Sequence, residues 1–298
     1  MDRRRANGYV VSVLAAASWA FTAPGISFLQ RMSVPSLTIA FWRDVFVAAA
    51  IFAVFAFRPA YLRVSRQTLI GLLIAGVASV GLYHVLWVYS VRANGPAIAV
   101  VLVYTYNAWT ALAARIIFKE PLKPLHTVAL LISFAGLVLA VKAYDLDAWR
   151  TSWQGTLIGV ASAISQAVYV LFNQRFIKSV NPFASLGYQM LFGAIAIGAL
   201  ILVVDPSQLT ALDGPNVLPI LFFLSIGPTL GGYGFFNLAM RYVPGKVAGL
   251  ISVMEVPFAS LLAFLLFRES LAPPQYFGMV LVLIASVLAN LQPAETAA

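Results

Sequence analysis

In the stretch GLISVMEVPFASLLAF, residues 249–264, the carboxylate of Glu255 interrupts an apolar run, and Pro257 follows it. A carboxyl group there has three uses. It can stay protonated and hydrogen-bond locally, since Pro257 has no N–H to offer the carbonyl of Val253. It can pair with a buried cation or polar network. Or it can face an internal cavity, where it binds an ammonium group or exchanges a proton. His84 lies inside a second apolar run, SVGLYHVLWVYS, in which Ser79, Tyr83 and Trp87 step by four and share one helical face. It borders that face, either as a core histidine bonded to a neighbouring helix or as a donor in a cavity.

Other polar side chains recur at helical spacing. In VYTYNAWTALAAR, Tyr104 and Asn107 share one face, and Tyr106, Trp109 and Thr110 share an adjoining one. Ser162, Gln166, Tyr169 and Asn173 form a stripe stepping by four, three and four. Thr229, Tyr233 and Asn237 form another, set among Pro228, Gly231, Gly232 and Gly234. Each stripe suits either hydrogen bonding between helices or the lining of a cavity. Arg43 and Asp44 are adjacent, and neighbours on a helix do not face each other, so each has a partner elsewhere or reaches toward an interface. The chain has no cysteine, hence no disulfide, thiolate ligand or thiol nucleophile. It shows no His pair at ligand spacing and no acidic cluster for metal or phosphate chemistry. Recognition is expected rather than catalysis, with no catalytic residue, cofactor or metal.

The elements that must position these groups are membrane helices. Of 298 residues, 61% are hydrophobic and 10% charged, against roughly 45–50% and 25% in soluble domains. The fold class is an all-α polytopic membrane protein. Ten apolar segments reach or approach the roughly 20 residues a span needs: 8–29, 36–57, 68–91, 96–118, 125–141, 155–177, 182–204, 217–240, 247–267 and 275–291. Helix-ending signals punctuate them, at NGP (94–96), KEPLKP (119–124), DGP (213–215) and RESLAPP (268–274). The first segment imitates a secretory signal but runs on to Leu29, long enough to span. The net charge of +9 reflects loop cations that set orientation and implies no nucleic acid partner.

The segment FKEPLKPLHTVALLISFAGLVLA (118–140) returns as FRESLAPPQYFGMVLVLIASVLA (267–289), and VPSLTIAFW (34–42) returns more weakly as NPFASLGYQ (181–189). Two matches at nearly one offset indicate a duplication. The expected units are residues 1–148, with the first five helices, and 149–298, with the second five. An odd number of spans per unit makes the second enter the membrane from the opposite side, an inverted repeat with its site near the midplane. Because both halves lie in one chain, a monomer suffices.

Ten spans, the five-plus-five duplication, the paired FKEPL and FRESL motifs and the segment PSLTIAFWRDVFVAA resemble the drug/metabolite transporter superfamily, EamA type. The resemblance covers nearly the whole chain. Within the family the chain is most similar to aromatic amino-acid exporters of bacterial inner membranes, on general similarity and on the aromatic and His content of spans three and four. The resemblance implies ten helices around a central cavity, lined mainly by helices 1, 3, 4, 6, 8 and 9, with 5 and 10 peripheral. Glu120 and Glu269 then sit at helix junctions, as caps or partners of nearby cations.

The reading that follows is a secondary transporter exporting amino acids, aromatic ones first, across a bacterial inner membrane by alternating access. Its partners are that small molecule and the bilayer. Trp19, Tyr83, Trp87, Tyr104, Trp109 and Tyr169 supply surface for a ring, and Tyr233 belongs to the same binding set. Gln166, Asn107, Asn237 and His84 receive a carboxylate, and Glu255 or an aromatic face receives an ammonium. A site for cationic drugs or other metabolites is the alternative, since one carboxylate in an aromatic pocket suits cations. An enzyme and a channel are remote ones. With the N-terminus in the cytoplasm, Arg3, Arg4, Arg5, Arg58, Arg63, Arg66, Lys119, Lys123, Arg175, Lys178, Arg241 and Lys246 lie inside. Only Arg31, Arg92, Lys142, Arg150 and Arg268 lie outside, which favours both termini inside. A reporter that works only in the cytoplasm is therefore expected to be active when fused to the C-terminus; activity there of a reporter that works only outside overturns the orientation.

Overall fold

Hydrocarbon offers backbone groups no hydrogen-bond partner, so a chain this apolar satisfies them within helices. The computed structural model describes residues 3–117, 119, 123–145, 147, 153–176, 179–267 and 271–291, and among these no strand occurs. The helices are α1 (Arg3–Trp19), α2 (Thr22–Arg31), α3 (Ser36–Ala56), α4 (Arg66–Ala75), α5 (Leu82–Tyr104), α6 (Tyr106–Ile117) and α7 (Pro124–Ala140). After them come α8 (Trp153–Phe176), α9 (Pro182–Val204), α10 (Val217–Leu224), α11 (Gly232–Ala239), α12 (Gly245–Ser252), α13 (Glu255–Phe267) and α14 (Pro273–Leu291). Two wider π-helical turns, Gly76–Gly81 and Ser225–Gly231, join α4 to α5 and α10 to α11. The junction glutamates Glu120 and Glu269 lie outside the described residues.

Among the described residues, seven helical runs are long and apolar enough to cross a membrane, and α7 and α14 contribute shorter apolar helices. One run, Arg66–Ile117, counts 52 residues. A straight helix of that length would measure about 78 Å, against a hydrocarbon core of about 30 Å. It is broken at Gly95, whose φ of 73° and ψ of 161° are non-helical. That φ suits glycine, and Pro96 opens the next helix without needing the missing N–H. The NGP signal thus marks a true corner. Elsewhere starts follow familiar chemistry: Asn181 accepts from the N–H groups of Phe183 and Ala184, with Pro182 in the first turn of α9.

Large apolar side chains such as Phe57, Ile116, Leu131 and Val203 face outward, while Arg43, Asp44, His84, Gln189 and Asn237 are buried. This is the distribution a bilayer imposes. Between helices in lipid, close packing of small residues takes over from the hydrophobic effect. A Cβ on Gly136 of α7 would lie 2.7 Å from the carbonyl oxygen of Gly278 in α14, and one on Gly278 only 2.5 Å from the backbone nitrogen of Ala140. The α3–α9 contact uses the same device, with Gly187 against Ile51 and Gly198 against Phe41.

Because the atoms facing Gly136 are backbone, they have no rotamer to yield. Gly136→Ala is expected to cost about 1–3 kcal/mol, read as a lowered thermal midpoint of the purified protein in detergent. Gly227→Ala, whose added Cβ meets only the Phe223 ring at 3.5 Å, should leave the midpoint nearly unchanged.

Candidate functional site

The helices that break inside the bundle build the site. α5 ends at Tyr104 and α6 begins at Tyr106, with Thr105 between them donating its hydroxyl to the carbonyl of Leu102 at 2.7 Å. Across from this break, α12 stops at Ser252 and α13 starts at Glu255. The tyrosines of one break serve the other. The Tyr104 hydroxyl lies 2.9 Å from the Ser252 carbonyl and also hydrogen-bonds the Glu255 carboxylate. The Tyr106 hydroxyl lies 2.9 Å from Ser252 Oγ and 3.3 Å from the Gly249 carbonyl. Residues i and i+2 do not share a face on an unbroken helix; the turn at Thr105 brings both rings together, with centroids 5.8 Å apart.

A cavity of about 40 Å³ lies at this junction, lined by Trp19, Thr22, Arg43, Tyr83, Trp87, Val103, Tyr104, Tyr106, Gln166, Tyr233 and Glu255. A few waters fill such a space; an amino acid needs it to widen. Trp19 meets Tyr233 edge-on at 5.2 Å, and Tyr83 stacks with Trp87 at 6.4 Å. A second cavity of about 200 Å³ is bounded by α2, the Pro96–Val100 turn, the end of α7, α13 and the start of α14, and Glu255 lines it too. The half-buried carboxylate therefore stands where the two spaces meet.

Arg43 and Asp44 leave α3 in different directions. The Arg43 Nε and Nη2 groups donate to Thr229 Oγ1 at 3.1 and 3.0 Å, and its Nη1 has no hydrogen-bond partner. Thr229 in turn donates to the Leu224 carbonyl, five residues back, at 2.8 Å. That spacing belongs to the π-turn, which holds Pro228 and its missing N–H. Asp44 Oδ1 lies 2.5 Å from His84 Nδ1, both side chains fully buried. Asp44 also backs onto Gly193, where a Cβ would stand 2.8 Å from Oδ2.

Of the twelve residues assigned to the site from sequence, Trp19, Tyr83, Trp87, Tyr104, Gln166, Tyr233 and Glu255 line the central cavity. The others do not. His84 is bonded to Asp44 behind the cavity wall, its ring edge-on to Tyr233. Tyr169 and Asn237 bond each other, hydroxyl to Oδ1, at 2.7 Å, which occupies both polar ends. Asn107 is buried near Gly249 and donates to the Tyr104 carbonyl at 3.4 Å. Trp109 is 38% exposed, because α6 buries the face that carries Asn107, Thr110, Ala111 and Ala114, and Trp109 lies off that face. Thr22, Arg43, Val103 and Tyr106 line the cavity without having been assigned to it. Arg43 places the second helix of the bundle in the wall as well, a contribution the helix set 1, 3, 4, 6, 8 and 9 omits. Glu255 bonds Tyr104 across the bundle, in place of the Val253 carbonyl of its own strand of sequence.

The EamA-like transporter family profile matches this chain twice, over residues 6–142 and 153–291. An uncharacterized transporter of Clostridium kluyveri is 22% identical over 73% of this chain and 70% of its own. The uncharacterized transporter YyaM of Bacillus subtilis is 19% identical over 84% and 82%. Human solute carrier family 35 member G1 is 24% identical over 61% of this chain and 51% of its own. A solved crystal structure, 19% identical, superposes on 95% of this chain and 96% of that one with a TM-score of 0.78, a likeness of fold.

Removing one member of a buried hydrogen-bonded pair strands the other. Asp44→Ala is expected to destabilise the protein by about 3–5 kcal/mol, and Asp44→Ala combined with His84→Ala by less than the sum of the two single changes, as a double-mutant cycle in detergent would read.

Proposed function

Taking as premise that this chain belongs to the EamA-like transporter family of the drug/metabolite transporter superfamily, we propose that it exports amino acids, aromatic ones first, by alternating access. The observation that carries the substrate reading is the central cavity. Six aromatic rings from α1, α5, α6 and α11, those of Trp19, Tyr83, Trp87, Tyr104, Tyr106 and Tyr233, enclose a space with Glu255 at its edge. Rings gain stacked or edge-on contacts there, each worth about 0.5–1.5 kcal/mol beyond burial, and an ammonium gains a carboxylate.

Ten helices in two inverted repeats, 1–148 and 149–298, supply the motion. The twofold family match supports this architecture. So do features that recur at the spacing of the two sequence motifs: the π-turns Gly76–Gly81 and Ser225–Gly231, and the breaks at Thr105 and at Val253–Met254. Counterpart helices also pack on each other, α3 on α9 and α7 on α14, as helices beside a pseudo-twofold axis do. Dividing the 52-residue run at Gly95 and adding the two shorter helices brings the number of passes to ten. The distribution of loop cations supports an orientation with both termini in the cytoplasm, within a bacterial inner membrane on this reading.

A cation exporter is the second reading, favoured by the same carboxylate among aromatic faces. Counterflow separates the two. Proteoliposomes loaded with unlabelled phenylalanine are expected to take up labelled phenylalanine above the leak of empty vesicles, and Glu255→Gln is expected to lower that uptake about tenfold, roughly 1.4 kcal/mol. Absence of wild-type counterflow overturns the amino-acid reading. Full activity of Glu255→Gln assigns the carboxylate a structural role. Inhibition by organic cations but not by amino acids favours the second reading.

A further inference from the structure

Four polar atoms in the wall of the central cavity have no hydrogen-bond partner: Arg43 Nη1, Trp87 Nε1, Thr22 Oγ1 and Gln166 Oε1. All four side chains are more than nine-tenths buried. Buried polar groups in folded proteins are nearly always satisfied, and a convergent set that is not marks a missing ligand or water. Three of the four are donors, and one belongs to a guanidinium, which stays charged in proteins. The set is built for an acceptor-rich, negatively charged group.

The disposition of nearby charges sharpens this. Asp44 follows Arg43 in the chain, yet its carboxylate is given to His84. Glu255 shares the cavity, yet its bond is to Tyr104. Among the described residues Arg43 makes no ion pair. Its Nε and Nη2 groups converge on the single oxygen of Thr229, which fixes the plane of the guanidinium and leaves the Nη1–Nη2 edge. That edge presents two parallel N–H groups, the geometry that clasps a carboxylate through both oxygens.

We propose that Arg43 is the carboxylate anchor of the central cavity, so that a transported molecule must carry a carboxyl group to be recognised. The inference rests on the amino-acid reading above and deepens it. It moves the carboxylate contact from Asn107, Asn237 and His84, which do not line the central cavity, to a residue of α3 that does. It also assigns the rejection of amines: a cation lacking a carboxylate leaves the guanidinium unpaired and adds a like charge to the cavity. Arg43 and Glu255 then grip the two ends of a zwitterion, and the aromatic walls take its side chain.

Three probes share one phenyl ring and differ in charge: phenylalanine, 3-phenylpropionate without the ammonium, and phenethylamine without the carboxylate. In wild-type counterflow, excess 3-phenylpropionate is expected to inhibit phenylalanine uptake at least tenfold more potently than phenethylamine. Arg43→Gln should lower phenylalanine uptake at least tenfold and erase that preference, and Arg43→Lys should restore part of it by keeping the charge without the fork. Equal inhibition of wild type by both probes overturns the proposal, as does retained preference in Arg43→Gln, and so does inhibition by chloride or sulfate as strong as by 3-phenylpropionate. If wild type moves no phenylalanine, the amino-acid reading fails alone, and direct binding decides the anchor. Quenching of tryptophan fluorescence by 3-phenylpropionate in wild type but not in a folded Arg43→Gln protein supports it; no quenching in wild type overturns it.

Discussion

Charged and polar groups inside this bundle have no solvent to fall back on, and every other feature of the interior follows from that constraint. A charge at the centre of a membrane helix costs about 2.5–3.5 kcal/mol on insertion scales. Asp44 and His84 answer the cost by pairing across α3 and α5, both fully buried. The tie does more than neutralise. It fixes the side of α3 that meets α5, and adjacent residues on a helix diverge, so pinning Asp44 turns Arg43 the other way, into the cavity wall. One buried pair thus orients the cation that the pair itself does not satisfy. Gly193 completes the arrangement, since any larger residue would press on the Asp44 carboxylate.

The second consequence concerns backbone. A broken helix inside a membrane exposes carbonyl and amide groups that only protein can satisfy. Here the breaks face each other, and the tyrosines on one side reach the carbonyls of the other: Tyr104 to Ser252, Tyr106 to Gly249. The π-turn around Pro228 is handled by a side chain instead, with Thr229 bonding the Leu224 carbonyl while accepting from Arg43. Irregular backbone is tolerated where it lines a cavity, and the cavity lies where the irregularities meet.

Much of this was legible in the sequence, and the exceptions share a cause. Membrane class, helical spans and the corner at 94–96 follow from composition, run length and helix-ending residues. Tyr83 with Trp87, and Gln166, were found from spacing within one helix, and they line the cavity. What the sequence did not disclose depended on a second helix. Nothing near Thr105 signals a break, and nothing in the spacing of Tyr106, Trp109 and Thr110 tells which edge of their shared face meets another helix: Tyr106 and Thr110 are buried, and Trp109 is not. Tyr169 and Asn237 lie on polar stripes as expected, but the stripes satisfy each other. His84 needed Asp44, forty positions away, to be understood. Arg43 needs a partner away from Asp44, as neighbours on a helix do, but that the partner is Thr229 in a distant π-turn is not written in its own segment.

The sizes of the two cavities bear on how such a protein works. The central space is too small for an amino acid, and the larger space beyond Glu255 is walled mostly by Ala, Pro, Val and Leu. A molecule gripped at both ends in the first would find in the second one carboxylate and little else that is polar. The Tyr104–Glu255 bond lies on the boundary between the two spaces. Tyr104 ends the helix before one break and Glu255 opens the helix after the other, so a ligand that takes the carboxylate competes with one of the several bonds, those of Tyr104 and Tyr106 to Ser252 and Gly249 among them, that tie the two breaks together.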